Sequence, residues 1–265
     1  MMLRLEREDY GSVYELYKDL DYFFPLVASV LLDEQDGVVY ADHRRSPTQA
    51  YVEHAFGFSQ FFGNSMKPSG FLEKLESYLL IEKQFRAEKV RLYSPSPSGS
   101  FLSETENVAL SERQRFHLDQ DRFLAQYKVS MANISADIRT HKISGDDLFA
   151  IEESFQVINR FWRSPEEFLK KANSCLITYR NKFAAICYSA ATADGYAEID
   201  VATLPEYRKL GLARHAVTGF VENCHAAGVI PLWDCYTNNE GSMALAAATG
   251  FVPYNLPYDF FTINK

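Results

Sequence analysis

Cysteine is scarce: four residues in 265, at positions 175, 187, 224 and 235. None forms a CxxC pair, and only six histidines accompany them, which argues against a structural zinc site. We expect four reduced, buried thiols in a reducing cytoplasm and no metal. Basic residues are in deficit, 27 Lys and Arg against 35 Asp and Glu, for a net charge of −8. A long phosphate-backbone or anionic-membrane footprint needs the opposite balance, so neither nucleic acid nor membrane is an expected partner. A local basic pocket stays open. No apolar run approaches the roughly 18 residues of a membrane span. The N-terminal stretch "MMLRLEREDYGSVYELYK" is charged from its fourth residue and holds no apolar signal region. What is present is ordinary globular material, 47% hydrophobic and 23% charged, enough for one large domain or two small ones.

The C-terminal half is the more legible. "SPEEFLKKA" offers Ser164 as N-cap, Pro165 at the first helical position and Glu167 to close a capping box. "SCLITYR", "FAAICYSAA" and "YAEIDVAT" are β-prone, separated by turn signals at Asn181-Lys182 and 193–195. From Gly211 the period changes: Leu212, Ala216, Val217, Phe220, Val221 and Cys224 recur at helical spacing until Gly228. "VIPLWDCYT" then reads as a strand. "NEGSMALAAATG" reads as a helix capped near Asn238 or Asn239 and ended by Gly250, and "FVPYNLPYDFFTI" as extended chain. Tyr196 to Thr237 thus forms a βαβ crossover with parallel neighbours. The N-terminal half replays hairpin, helix, strand. "FPLVASVLL" and "GVVYAD" read as paired strands, "FLEKLESYLLIEKQFRA" as a helix and "KVRLYS" as a strand. "SPSPSGS" reads as a loop, and the charged run "SERQRFHLDQDR", 111–122, as a solvated helix face. The expected fold class is mixed α/β in two regions, 1–130 and 131–265, related by a degenerate duplication. The aromatic run "YVEHAFGFSQFFG" is core by default, or a lining for an acceptor cleft between the halves.

The chemistry concentrates at "VATLPEYRKLGLARHAV", Val201 to Val217. Small residues at Gly211 and Ala213 let a ligand approach the main chain. The loop opens a helix whose first N–H groups have no internal partners, and Arg208 and Lys209 add charge at the rim. The segment is either an anion cradle or a strand-to-helix turn whose glycine serves sterics alone.

Here the chain resembles the GNAT superfamily of acyl-CoA N-acyltransferases. Arg208-Lys209-Leu210-Gly211-Leu212-Ala213 fits the family's central signature, and Asn239, Ser242, Leu245 and Gly250-Phe251 fit its second in register. The resemblance covers about residues 135–265 and extends to the branch typified by zwittermicin A-resistance-type acetyltransferases, which carry an extra N-terminal region. It implies a GNAT fold with a mixed, partly splayed sheet flanked by helices. It also implies acetyl-CoA as cofactor, its pyrophosphate on the N–H groups from Lys209 to Ala213. The pantetheine arm would lie along Val201, Ala202, Thr203 and Leu204, with Asn239 and Ser242 beside it. Many members carry a Tyr after the Leu of the second motif to protonate the departing thiolate; this chain has Ala246.

An ammonium has no lone pair, so direct acyl transfer needs a base. In "YAEIDVAT" alternation puts Glu198 and Asp200 on one face, where like charges raise one carboxylate's proton affinity. Either is the candidate base, Glu198 being where the histone-acetylating branch places its glutamate; both could instead only line a polar face. Tyr236 is the candidate replacement acid. His215 and His225, ten residues apart on one helix, cannot share a site. Cys235 reads as a buried strand thiol rather than an acyl acceptor. The expected function is acetyl-CoA-dependent N-acetylation of a small-molecule amine, without a covalent enzyme intermediate, at a site between the two halves. A CoA-binding relative without activity and a tandem GNAT-like aminoacyl or peptidyl transferase stay open.

Overall fold

The structure, a computed structural model, describes residues 1–63, 70–95, 102, 107–132 and 135–265, with only the backbone of 129–132. The chain divides into two compact units, Met1–Arg113 with Pro257–Lys265, and Gln114–Leu256. Both are mixed α/β. Most of "SPSPSGS" lies outside the described residues.

The first unit begins with β1 (Leu3–Arg4), α1 (Tyr10–Tyr17), α2 (Pro25–Leu31) and β2 (Gly37–Ala41). β3 (Gln49–His54), β4 (Phe58–Gly63), α3 (Phe71–Glu76) and β5 (Lys89–Ser94) follow. β2, β3 and β4 form an antiparallel meander in the register Val39↔Val52 and Tyr51↔Phe61. The chain then crosses through α3 and the π-helical turn Ser77–Glu82 to β5, which runs parallel to β4. Asp259–Asn264 pair antiparallel with β5. Phe61, Phe71, Leu75, Leu79, Phe85, Leu92 and Phe261 fill the core.

α2 corrects one expectation. "FPLVASVLL" is a helix, with all seven residues of Pro25–Leu31 buried. An apolar run covered on every side has no polar face to show its period, so strand and buried helix look alike. Pro25 at the first helical position was the available signal.

The second unit holds the rest of β6 (Val108–Leu118), then α4 (Gln120–Ala132), β7 (Ile138–His141), α5 (Leu148–Phe155), α6 (Ile158–Phe161) and α7 (Pro165–Lys171). β8 (Cys175–Tyr179), β9 (Lys182–Ala193), β10 (Tyr196–Thr203), α8 (Leu212–Ala226), β11 (Ile230–Tyr236), α9 (Glu240–Ala248) and the start of β12 (Phe251–Asn264) complete it. Its strands order as β6-β11-β10-β9-β8-β7. Like the first unit, it is an antiparallel meander followed by a crossover helix and a parallel strand.

Local signals explain these elements. Ser164 Oγ accepts the Glu167 N–H at 3.2 Å with Pro165 at the first helical position. Asp194 and Gly195, at φ 49° and 77°, make the β9–β10 turn. Gly228 and Gly250, at φ 68° and 88°, follow α8 and α9. α8 packs Ala216, Val217, Phe220, Val221 and Cys224 onto Cys175, Ile177, Ala185, Cys187, Ala197 and Ile199. Gly219 sets the spacing: a Cβ there would fall 2.4 Å from Cys175 Sγ. All four cysteines are free and buried.

The run 111–122 corrects a second expectation. Val108–Leu118 is a strand, with Arg113, Gln114, Arg115 and Phe116 buried. Polar residues enter a core when every group finds a partner. Gln114 Nε2 donates to the Arg115 carbonyl at 2.7 Å, and Arg115 finds two carboxylates.

Candidate active site

β10 and β11 are paired in parallel only at Tyr196↔Ile230, Ala197↔Pro231 and Glu198↔Leu232. Beyond that point β10 runs five more residues to Thr203, and β11 four more to Tyr236. On its other side β10 stays bonded to β9 as far as Thr203↔Ala185. The two central strands therefore diverge, and the edge of β10 from Ile199 to Thr203 faces the gap.

The loop after that edge is shaped by its backbone. Leu204 N–H donates to Ala184 O at 3.0 Å, and Pro205–Tyr207 make a single 3-10 turn. Lys209 and Gly211 take φ 64° and 77°. Gly211 is the N-cap of the 15-residue α8. A Cβ at Gly211 would meet nothing within 4 Å, so the space over the helix entry is open. Among the described residues, the N–H groups of 209–213 have no backbone acceptor. Positive charge from Arg208 and Lys209 and the dipole of α8 act on the same space. An open cradle of unspent donors beside a bare strand edge fits a phosphorylated, amide-bearing cofactor arm.

On the face of β10 away from α8 stand two carboxylates in different settings. Glu198 is buried; Arg115 Nη1 lies 2.8 Å from both of its oxygens and 3.8 Å from Asp234 Oδ2. Asp200 has a side chain 32% exposed. Its Oδ2 accepts from Tyr188 Oη at 2.6 Å and Arg160 Nη1 at 3.3 Å, and its Oδ1 from Val201 N at 2.9 Å. Burial pushes the Asp200 carboxyl above its ordinary range; the hydroxyl of Tyr188 and the charge of Arg160 pull back against that.

A family model described as GNAT acetyltransferase matches residues 23–261. The chain belongs to the GNAT acetyltransferase family. An uncharacterized N-acetyltransferase of Bacillus subtilis (strain 168), YdfB, is 27% identical over 259 residues, 95% of each chain. A GCN5-related N-acetyltransferase-like protein from Streptococcus suis 89/1591 superposes with a TM-score of 0.69 at 19% identity, over 96% of this chain and 98% of that one. A tandem GNAT protein from the clavulanic acid biosynthesis pathway gives 0.65 at 14%, over 100% and 98%. At such identities the structures establish the shared fold, and the tandem protein agrees with a two-region chain. Family membership makes this chain a homologue of acyl-CoA N-acyltransferases.

Set on this GNAT frame, the residues marked in the sequence fall into separate groups. Val201 to Leu204 and Arg208 to Ala213 line the diverging edge and the helix entry. Asn239 caps α9, its Oδ1 accepting from Ser242 N at 3.1 Å. The Ser242 hydroxyl accepts from Trp233 Nε1 at 3.1 Å, so Asn239 is in part committed to capping α9 and Ser242 to holding it on β11. Tyr236 ends β11 half-buried. Ala246 is fully buried in the core against α8 and β11, so no hydroxyl reaches the gap from that position. Cys235 is buried, with its Sγ 3.5 Å from Met243 Sδ. His215 is held below its ordinary range by burial and by Arg214. Sequence reasoning missed Arg115, Asp234, Tyr188 and Arg160. The one available signal was the alternation of Arg115 and His117 with Phe116 and Leu118, a strand period inside a run that looks helical by charge.

Proposed function

We propose that the protein is an acetyl-CoA-dependent N-acetyltransferase acting on a small-molecule amine in the cytoplasm. The observation that carries the reading is the early end of β10–β11 pairing at Glu198↔Leu232, directly before a glycine loop and the N-terminus of α8. The N–H groups of Lys209 to Ala213, with Arg208 and Lys209, would hold the cofactor's pyrophosphate. The edge Val201–Leu204 would pair with its amide arm, with the Asn239 amide and Ser242 nearby. Bound there, acetyl-CoA supplies the acyl thioester.

The chain's own residues then divide the proton work. Glu198 and Asp200 are the proposed acceptors, and their surroundings favour Asp200. Both Glu198 oxygens already hold Arg115, so its role is to anchor β10 to β6. Asp200 is partly open to solvent and holds its proton more tightly than an exposed carboxylate, as a base working near neutral pH requires. Tyr236 is the proposed donor to the departing thiolate. Buried Ala246 supports one second reading, a CoA-binding relative without turnover.

Thiol release from acetyl-CoA across a library of amines, antibiotics included, separates the two. Release that requires both the amine and the protein is expected. Saturable acetyl-CoA binding with no release over any amine would sink the enzyme reading.

A further inference from the structure

The first unit contains a cavity of about 330 Å³ on the face of β1, β2 and β3, beneath the π-helical turn Ser77–Glu82. Its floor is ionisable. Glu53 is 2% exposed, and its Oε2 accepts from Tyr51 Oη at 3.0 Å and Tyr78 Oη at 3.1 Å. The backbone of Arg86 donates to the same carboxyl, and Tyr40 hydrogen-bonds Tyr78. These neutral donors orient the carboxylate without cancelling its charge. Among the described residues no cation lies within ion-pair distance of Glu53. The charge of Lys265 acts on Glu53 from beyond that distance, but burial outweighs it and raises the carboxyl's proton affinity. The arrangement would be gratuitous in a plain core; at the bottom of a cavity it is a socket for a positive group.

The rim is mainly of the opposite sign. Arg4, Arg7 and Arg86 line it, with Asp36 as its one acidic residue among the described residues. Arg7 is already engaged, at 3.0 Å from Asp33 and 3.2 Å from Asp36. Neither Arg4 nor Arg86 has an acidic partner within ion-pair distance among the described residues. The backbone was bent to build the lid. Lys83 N–H reaches back five residues to Tyr78 O at 3.0 Å, and Lys83 leaves the turn at φ 48°. Single π turns of this kind recur at functional sites, and this one brings Tyr78 into the cavity lining. A negative floor and a mainly positive rim in one small cavity are complementary to a molecule with the reverse polarity along its length.

We propose that this cavity binds a zwitterionic small molecule of the α-amino-acid class, its ammonium at Glu53 and Tyr78 and its carboxylate at Arg4 and Arg86. The volume admits an amino acid with its side chain. Guanidinium groups suit the carboxylate end through paired N–H donors.

Calorimetric titration of the full chain with each proteinogenic α-amino acid tests the site. At least one is expected to bind saturably. Its N-acetyl and methyl-ester derivatives should each bind at least tenfold more weakly, because each removes one charge. Glu53→Gln is close in shape but removes the floor charge, and should weaken binding at least tenfold. Arg86→Met, an exposed change that leaves the core alone, should do the same if the floor variant proves unstable. No binding by any amino acid, equal binding of the blocked derivatives, or unchanged affinity in Arg86→Met would each overturn the proposal.

Discussion

Arg115→Met isolates the charge cluster that joins β6, β10 and β11. Arg115 Nη1 stands 2.8 Å from Glu198 and 3.8 Å from Asp234, and the exposures of the three side chains are 4%, 6% and 0%. At an effective dielectric of about 20, these separations correspond to attractions of about 6 and about 4 kcal/mol. Desolvating each ion costs several kcal/mol, so the intact cluster contributes little net stability. Removing the cation is different. Two buried carboxylates then lose the Arg115 charge, and a loss of about 3–5 kcal/mol is expected. Glu198→Gln alone should also be destabilising, since it removes the negative charge that Arg115 holds at 2.8 Å. In the double variant the first pair is gone altogether, so the losses should fall short of additivity by about 2 kcal/mol. Urea unfolding of the wild type, both single variants and the double variant supplies the cycle. Additivity within about 0.5 kcal/mol would show that Glu198 is not held by Arg115, and would return it to contention as the base.

Tyr188→Phe removes a hydrogen bond that pulls the Asp200 carboxyl down, so the acid limb of the pH–rate profile should move upward; an unmoved limb would take Asp200 out of the reaction. His54 is buried and its ionisation is depressed from 6.5 to about 4, so the unfolded chain takes up a proton there that the folded chain refuses. Stability from this group is therefore complete above pH 6.5 and falls by about 3 kcal/mol as pH drops toward 4. His54→Asn preserves an acceptor for the Phe56 N–H and should flatten that part of the pH–stability curve; an unchanged slope would contradict the assignment. Ala246→Tyr would place a large side chain in a filled core, with an expected cost of about 1–3 kcal/mol. A fall in Tm of about 3 °C or more should accompany it with no gain in turnover, whereas an unchanged Tm would mean that the position has room.

Legibility followed the kind of signal each element carried. α8, β11 and α9 could be read because residues with a single physical use bound them: Gly211, Gly228, Asn239 and Gly250. α2 and β6 could not. The first is apolar on all sides, and the second buries Arg115 by pairing it with Glu198, 83 positions away. Pro257–Lys265 belongs to the first unit although it follows the second in sequence, because its strand partners are Lys89 to Ser94. No local pattern encodes a return of that length. At the site, the loop and the alternation of Glu198 and Asp200 were visible, and the divergence of β10 from β11 came through the family resemblance. What separates the two carboxylates was not visible: it depends on Arg115, Arg160 and Tyr188, which arrive from β6, α6 and β9.

The cofactor cradle is the centre of the account, and calorimetric titration of acetyl-CoA into the wild type and Gly211→Leu tests it most directly. Leucine at φ 77° costs about 1–2 kcal/mol of backbone strain and projects a side chain into the open space over the entry of α8, so the variant's Tm is measured alongside. Saturable binding to the wild type, weakened at least tenfold in a folded Gly211→Leu, is the predicted result. Absence of binding to the wild type, or equal affinity in the two proteins, would contradict it.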